Sequence, residues 1–270
     1  MPQLTAVILD WAGTMVDHGS MAPLSVFRQA FAQAGIEIAE DEARGPMGLP
    51  KWHHIRAVGR LPRIAAAWQE KFGRPFSDSD VDQLHRVFMP MTLEAVARHA
   101  ELVPGALPLL AHLKARGLKI GSTTGYDRVT MEALVPLAAA QGYRPDCLVT
   151  ASDVTIGRPT PMMMWQCFIA LELGAAAQAV KIDDTAPGIV EGRAAGSWTV
   201  GVTATGNEMG LSADALAALS PSERARRLAA IGDKLMAAGA DYVIDSVADL
   251  PAILDRIDAR LAAGERPPAF

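Results

Sequence analysis

The sequence predicts an α/β fold, a doubly wound parallel sheet of Rossmann-like type with a helical cap domain inserted after its first strand. Three observations predict it. Short apolar runs alternate with segments of helical spacing, the pattern of a parallel sheet covered on both faces. The first run, Ala6–Leu9, ends abruptly on a carboxylate, Asp10, followed by Gly13 and Thr14. More than a hundred residues then separate it from the second run, where a parallel crossover needs only about a dozen.

Taken in order, Ala6–Leu9 is the first strand, and Asp10 stands beyond its carboxyl end, where such sheets bind ligands. The insert is helical. PLSVFRQAFAQAG repeats apolar residues at three and four, PRIAAAWQEKFG does likewise, and SDSDVDQLHRVFMPMTLEAVARHA is a third stretch opening on a capping Ser or Asp. Residues 20–99 are expected to form the cap and residues 1–19 with 100–270 the catalytic core, with hinges near Gly19 and Pro104–Gly105. ALPLLAHLKARG is the next helix, stopped by Gly117. Further strands are expected at Leu118–Ser122, Asp146–Val149, Ala179–Asp183, Trp198–Val202 and Tyr242–Ile244, the last followed by a helix running through Ile253 and Leu254 to Leu261.

Composition narrows the function classes. With 270 residues, half of them apolar, the chain can bury a sizeable core. A net charge of −5 without any Lys/Arg run argues against nucleic acid as a partner. No apolar stretch approaches the roughly 20 residues that span a bilayer, and no basic segment leads into an apolar signal region, so the reading is a cytoplasmic protein without a membrane partner. Cys147 and Cys167 fit core fillers in a reducing compartment.

The strand ends carry the chemistry. The second strand closes on GSTTGY, whose hydroxyls and glycine can hold phosphate oxygens; Arg158 in GRPTP offers a fixed positive charge; and Asp183–Asp184 brings a carboxylate pair near Asp10, a hard oxygen cage suited to Mg²⁺. Individually each has a plain explanation: Thr124 as a turn hydroxyl, Arg158 as a surface ion pair, Asp183 and Asp184 as a helix cap. Four such groups at four strand ends, in order, favour a site.

On these residues the chain resembles the haloacid dehalogenase superfamily, whose pattern is a strand-end Asp nucleophile, a strand-end Ser or Thr, a basic residue and a terminal acidic pair. Two features narrow the resemblance. Most phosphatases of the superfamily carry a second Asp two residues after the nucleophile as general acid, and here that position is Ala12. In the insert, GPMGLPKWHHI places Lys51 among apolar and aromatic neighbours beside His53 and His54, and a desolvated lysine can form a Schiff base with an aldehyde. DWAGT, PMGLPK, GSTTGY, GRPTP and DDTAPG together resemble the phosphonatase branch, whose substrate is phosphonoacetaldehyde.

The resemblance implies hydrolysis of a carbon–phosphorus bond to acetaldehyde and phosphate, in the breakdown of 2-aminoethylphosphonate. Lys51 would form the imine and Asp10 an aspartyl phosphate, with His54 moving protons. Because an enamine leaves, no acid is needed at Ala12. The resemblance also implies Mg²⁺ held by the Asp10 carboxylate, the Ala12 carbonyl and Asp184, with Asp183 in an outer-shell role, since Gly188 stands where some members place an Asp. Thr124 and a two-pronged Arg158 would bind the phosphonate, with Tyr126, Met47 and Gly48 lining the substrate cleft. Ser20 replaces a cysteine found in some members and is assigned no role. A homodimer is implied, with the helix around Val26, Phe27 and Phe31 as the expected exposed interface. The alternative is a Mg²⁺-dependent phosphomonoesterase of the same superfamily, which would want an acid at position 12.

Overall fold

The computed structural model describes residues 4–268. Six strands, β1 (Ala6–Leu9), β2 (Lys119–Thr123), β3 (Cys147–Val149), β4 (Ala179–Asp183), β5 (Trp198–Val202) and β6 (Tyr242–Ile244), form one sheet in the order β3-β2-β1-β4-β5-β6. Every pairing is parallel. β2 and β3 each begin one residue later than their apolar runs suggest, because hydropathy reports burial, whereas the ladder begins only where a neighbouring strand is in register.

Alternation along β1 sends its side chains to two cores. Val7 and Leu9 join the cluster that contains α6 (Ala106–Ala115), α7 (Arg128–Ala140) and α12 (Leu250–Ala262), whereas Ala6 and Ile8 pack with Met163, Met164 and Cys167 of α8 (Met162–Ala170). Residues in α9 (Ala186–Ala194), α10 (Ala213–Ala217) and α11 (Pro221–Ala237) make a third cluster around Ile189, Leu216 and Leu235. Helices therefore cover both faces, which is why β1 is apolar throughout and β4 is apolar but for Lys181 and its terminal Asp183.

Between β1 and α6 lie five helices: α1 (Met21–Gln33), α2 (Glu40–Arg44), α3 (Lys51–Gly59), α4 (Pro62–Phe72) and α5 (Asp78–Arg98). α5 opens on a capping box in which the Asp80 carboxylate accepts from the Ser77 N–H at 2.8 Å and the Ser77 hydroxyl at 2.7 Å. The sequence reading gives no separate bounds for α2, α3 or the helices α7 to α11 that follow β2 to β5; α2 and α10 are too short to show a full apolar period. One expectation is corrected. Val26, Phe27 and Phe31 are buried, not exposed, because that face of α1 packs on α5, with Phe27 and Phe88 ring centroids 4.6 Å apart. The exposed apolar face lies instead on α8, where Met162, Trp165 and Ile169 share one side.

Candidate active site

The registers align three strand tips. Leu9 pairs with Ser122 on one side and with Ile182 on the other, so Asp10, Thr123–Thr124 and Asp183–Asp184 emerge at the same level. β1 and β4 are also where the chain order of the sheet reverses, the crevice in which open parallel sheets bind ligands. The Asp10 N–H is fixed by the Ile182 carbonyl at 3.0 Å. Behind it Gly13 has φ +85°, and a Cβ there would stand 2.3 Å from Asp184 Oδ2, so only glycine lets the turn pass this carboxylate.

Asp10, Asp183 and Asp184 each present an oxygen within 4.8 Å of the others, and all three are buried. Asp184 forms no ion pair among the described residues; it accepts from Thr14 Oγ1 at 3.0 Å and from the Asn207 N–H at 2.7 Å. Burial, followed by the charges of Asp10 and Asp183, holds its carboxyl well above the usual range. Crowded hard oxygens short of positive charge are what a small divalent cation fits. Asp183 is oriented differently. Its Oδ1 accepts from Thr185 N at 3.0 Å and Thr185 Oγ1 at 2.7 Å, and its Oδ2 lies 3.0 Å from Lys181 Nζ and 3.2 Å from Arg158 Nη2. Burial opposes its charge, yet Arg158 and Lys181 outweigh burial and hold the pKa below the ordinary value.

Arg158 is held by the protein through Nη2 and Nε. Nη2 donates to Asp10 Oδ1 at 2.7 Å and to the Thr123 carbonyl at 2.9 Å, and Nε donates to Glu191 Oε2 at 3.1 Å. A two-pronged grip on a ligand through that edge would first have to displace Asp10. Burial opposes the guanidinium charge, but Asp183, Glu191 and Asp10 outweigh it. Asp10 itself is raised to about 6, first by burial and then by Asp183, against the opposing pull of Arg158 and Lys181.

From the inserted helices, α3 delivers Lys51 at its first residue. Lys51 is 7% exposed, and its Nζ lies 4.7 Å from the centroid of Tyr126 and 5.7 Å from that of Phe27, with no ion pair among the described residues. Burial lowers its pKa to about 8, although Asp10 pulls the other way. On the next turn, His54 is buried and stacked 3.6 Å from Phe27. Its Nε2 donates to the Ala43 carbonyl at 2.7 Å, which leaves Nδ1 as a lone-pair nitrogen without a partner among the described residues. Burial, then the Lys51 charge, keeps it neutral well below its ordinary pKa. His53 is exposed.

A cavity of about 30 Å³ is lined by Asp10, Ala12, Met47, Gly48, Lys51, Thr124, Tyr126 and Arg158, together with Ser20, Pro23, Gly125 and Thr185. Gly48 has φ +92°, and a Cβ there would stand 2.5 Å from Thr185 Oγ1, so glycine permits the insert to close this tightly on the sheet loops. That volume holds one or two waters, so a larger ligand requires the inserted helices to move. His54, Asp183 and Asp184 do not line it; they stand behind residues that do. Sequence reasoning gave Thr14 of DWAGT no role and missed Asn207, Lys181, Glu191 and Arg44. Lys181 alone gives a signal, a charge inside the apolar run AVKID.

A family model for haloacid dehalogenase-like hydrolases matches residues 4–196. Phosphonoacetaldehyde hydrolase of Aeromonas hydrophila is 52% identical over 97% of this chain and 95% of its own length. The Salmonella typhimurium protein of the same name is 51% identical over 99% and 100%. The chain belongs to the phosphonoacetaldehyde hydrolase family of haloacid dehalogenase-like hydrolases. Among solved structures, a phosphonoacetaldehyde hydrolase-like protein from Oleispira antarctica superposes with a TM-score of 0.97 at 43% identity, covering 98% of this chain and 96% of that one. A β-phosphoglucomutase from Clostridium difficile, 16% identical, reaches 0.68 over 96% of this chain and 99% of its own, which shows the common fold alone. Membership in the phosphonoacetaldehyde hydrolase family thus accounts for the whole length, including the segment that carries Lys51.

Proposed function

We propose that this chain hydrolyses the carbon–phosphorus bond of phosphonoacetaldehyde to acetaldehyde and phosphate. The observation that carries the reading is Lys51: a buried lysine without an ion pair among the described residues, lining the same small cavity as a strand-end carboxylate and a buried arginine. A phosphate ester has no use for such an amine; an aldehyde does.

Neutral Lys51 Nζ adds to the aldehyde carbon, and loss of water leaves an iminium two bonds from phosphorus. His54 Nδ1, unprotonated and close enough to feel the Lys51 charge, is the group to take the proton from the attacking nitrogen and return it to the carbinolamine oxygen, which leaves as water on receiving a second proton from solvent. Asp10 attacks phosphorus in line with the P–C bond, and the bonding pair moves into the carbon skeleton as an enamine, so no acid is required where Ala12 stands. Water hydrolyses the aspartyl phosphate; the enamine is protonated and the imine hydrolysed, returning Lys51. Thr124 and Arg158 bind the phosphonate oxygens, Arg158 exchanging its bond to Asp10 for the ligand. Tyr126, Met47 and Gly48 shape the cleft around Lys51.

The Asp10 carboxylate, the Ala12 carbonyl and Asp184 would hold Mg²⁺, with Asp183 outside them anchoring Thr185, and the ion would offset the repulsion between Asp10 and an anionic ligand. Residues 20–99 act as the cap and the remainder as the core. The same reading includes a cytoplasmic location, matching the finding that no helix among the described residues is long and apolar enough to cross a membrane. It also includes a homodimer, for which the Met162, Trp165 and Ile169 face is available, and sedimentation at several concentrations tests that part.

The substrate is tested by offering phosphonoacetaldehyde and a small aldehyde phosphate ester side by side with Mg²⁺. Equal amounts of acetaldehyde and phosphate from the phosphonate are expected; phosphate released from the ester alone would replace this reading with the phosphomonoesterase.

A further inference from the structure

The inserted helices also touch the sheet loops at a point that the proposed chemistry does not use. Arg44, the last residue of α2, is 8% exposed, and its guanidinium reaches out of the insert. Nη1 donates to the Gly19 carbonyl at 2.9 Å, to the Asn207 carbonyl at 3.1 Å and to Asn207 Oδ1 at 3.2 Å, and Nη2 donates to the Gly210 carbonyl at 3.1 Å. Asn207 Nδ2 returns a bond to the Arg44 carbonyl at 3.4 Å. The ion pair of Arg44, with Glu40 at 2.8 Å, stays within α2, so every bond across the gap is made to a neutral oxygen.

Asn207 is the residue whose backbone N–H donates to Asp184 Oδ2 at 2.7 Å. Its loop is joined to the Asp10 loop as well, through Thr205 Oγ1 to the Gly13 carbonyl and Gly19 N–H to the Thr205 carbonyl, both at 2.7 Å. Asp184 therefore takes its orientation from Thr14 on one oxygen and, on the other, from a residue whose carbonyl and side chain are held by Arg44. The same stretch of insert continues from Arg44 through Met47 and Gly48 to Lys51.

We propose that Arg44 is a positioning residue that couples closure of the inserted helices to the Asp184 carboxylate, so that a divalent cation is bound most tightly in the state that has Lys51 over Asp10. Opening the small cavity for a ligand moves the insert, breaks the Arg44 bonds and frees the Asn207 loop. By linkage, a cation that binds the closed arrangement more tightly favours closure in return. The coupling rests on the proposed function for the cation at Asp184 and for the identity of the ligand that opens the cavity.

The test is calorimetric titration of the full chain with Mg²⁺, in the absence of substrate, for wild type, Arg44→Ala and Arg44→Lys, with thermal unfolding of the metal-free proteins in parallel. The dissociation constant is expected to rise about tenfold in Arg44→Ala, the size seen when an outer partner of a metal ligand is lost, and less in Arg44→Lys. An affinity within about twofold of wild type in a variant that is folded, with only the melting temperature lowered, would overturn the coupling and leave Arg44 a purely structural contact. If Arg44→Ala fails to fold, Asn207→Ala decides: it deletes both side-chain bonds to Arg44 and keeps the N–H to Asp184, and the same rise or constancy is read. No substrate enters the titration, so failure of the proposed carbon–phosphorus chemistry would show separately, as absence of acetaldehyde from wild type.

Discussion

Lys51 loses its hydration on burial, and the Asp10 charge restores only part of it, so the amine titrates at about 8 where an exposed lysine would titrate at 10.5. At pH 7 about a tenth of the amine is then neutral, roughly three hundredfold more than for an ordinary lysine. Imine formation with a small aldehyde should rise with pH and level off above about 8. The same shift has a stability consequence whose sign is fixed. The folded state holds this proton less tightly than the unfolded chain, so unfolding takes up a proton between pH 8 and 10.5, and the resulting cost is full below pH 8 and vanishes above 10.5. Lys51→Met is expected to be more stable than wild type at pH 7 by roughly 1–3 kcal/mol, with the gain shrinking as pH rises toward 10. Urea unfolding at both pH values measures it; a gain that grows with pH would contradict the desolvation account. At this scale the sequence is informative wherever a residue breaks its local pattern: Asp10 after four apolar residues, Lys51 among apolar and aromatic neighbours. Arg44 breaks nothing. In EDEARG it looks like the basic end of any exposed helix, and only the fold brings Asn207 to it.

Three elements carry a buried charge network beneath Asp10: β4 with Lys181 and Asp183, α9 with Glu191, and the segment after β3 with Arg158. Lys181 Nζ lies 3.0 Å from Asp183 and 3.5 Å from Glu191 and donates to Thr123 Oγ1 at 2.7 Å. Two cations thus face three buried carboxylates, and removing one cation leaves a further carboxylate uncompensated. Lys181→Met should destabilise the fold by about 3–5 kcal/mol, and adding Glu191→Gln should recover part of that loss. Denaturant midpoints of the two variants decide it; a neutral Lys181→Met would mean the network contributes nothing to folding. The strands themselves are legible because both-face burial makes them continuous apolar runs. The starts of β2 and β3 are legible only to within a residue, because hydropathy reports burial rather than pairing. α1 is legible as a helix but not in its partner: apolar spacing shows that a face is buried, and the packing of Phe27 on Phe88 and His54 shows against what.

Across the whole molecule, the insert and the sheet loops meet over a cavity of about 30 Å³, with Lys51 contributed from one side and Asp10 and Arg158 from the other. Neither part lines the cavity alone, so the proposed chemistry depends on their closure, and the Arg44 contacts join the two parts beside Asp184. This division of labour explains what the sequence could and could not show: the motifs at the strand tips are local, whereas the contacts between Gly48 and Thr185 and between Arg44 and Asn207 join residues more than a hundred positions apart. Borohydride trapping reads imine formation at Lys51 itself: the protein is mixed with phosphonoacetaldehyde and reduced, and the modified peptide is mapped by mass spectrometry. A reduced two-carbon adduct on Lys51 alone is expected, absent from Lys51→Arg, with acetaldehyde and phosphate released in an unreduced parallel. Full turnover with no adduct on Lys51, or an undiminished rate in Lys51→Arg, would contradict imine formation there.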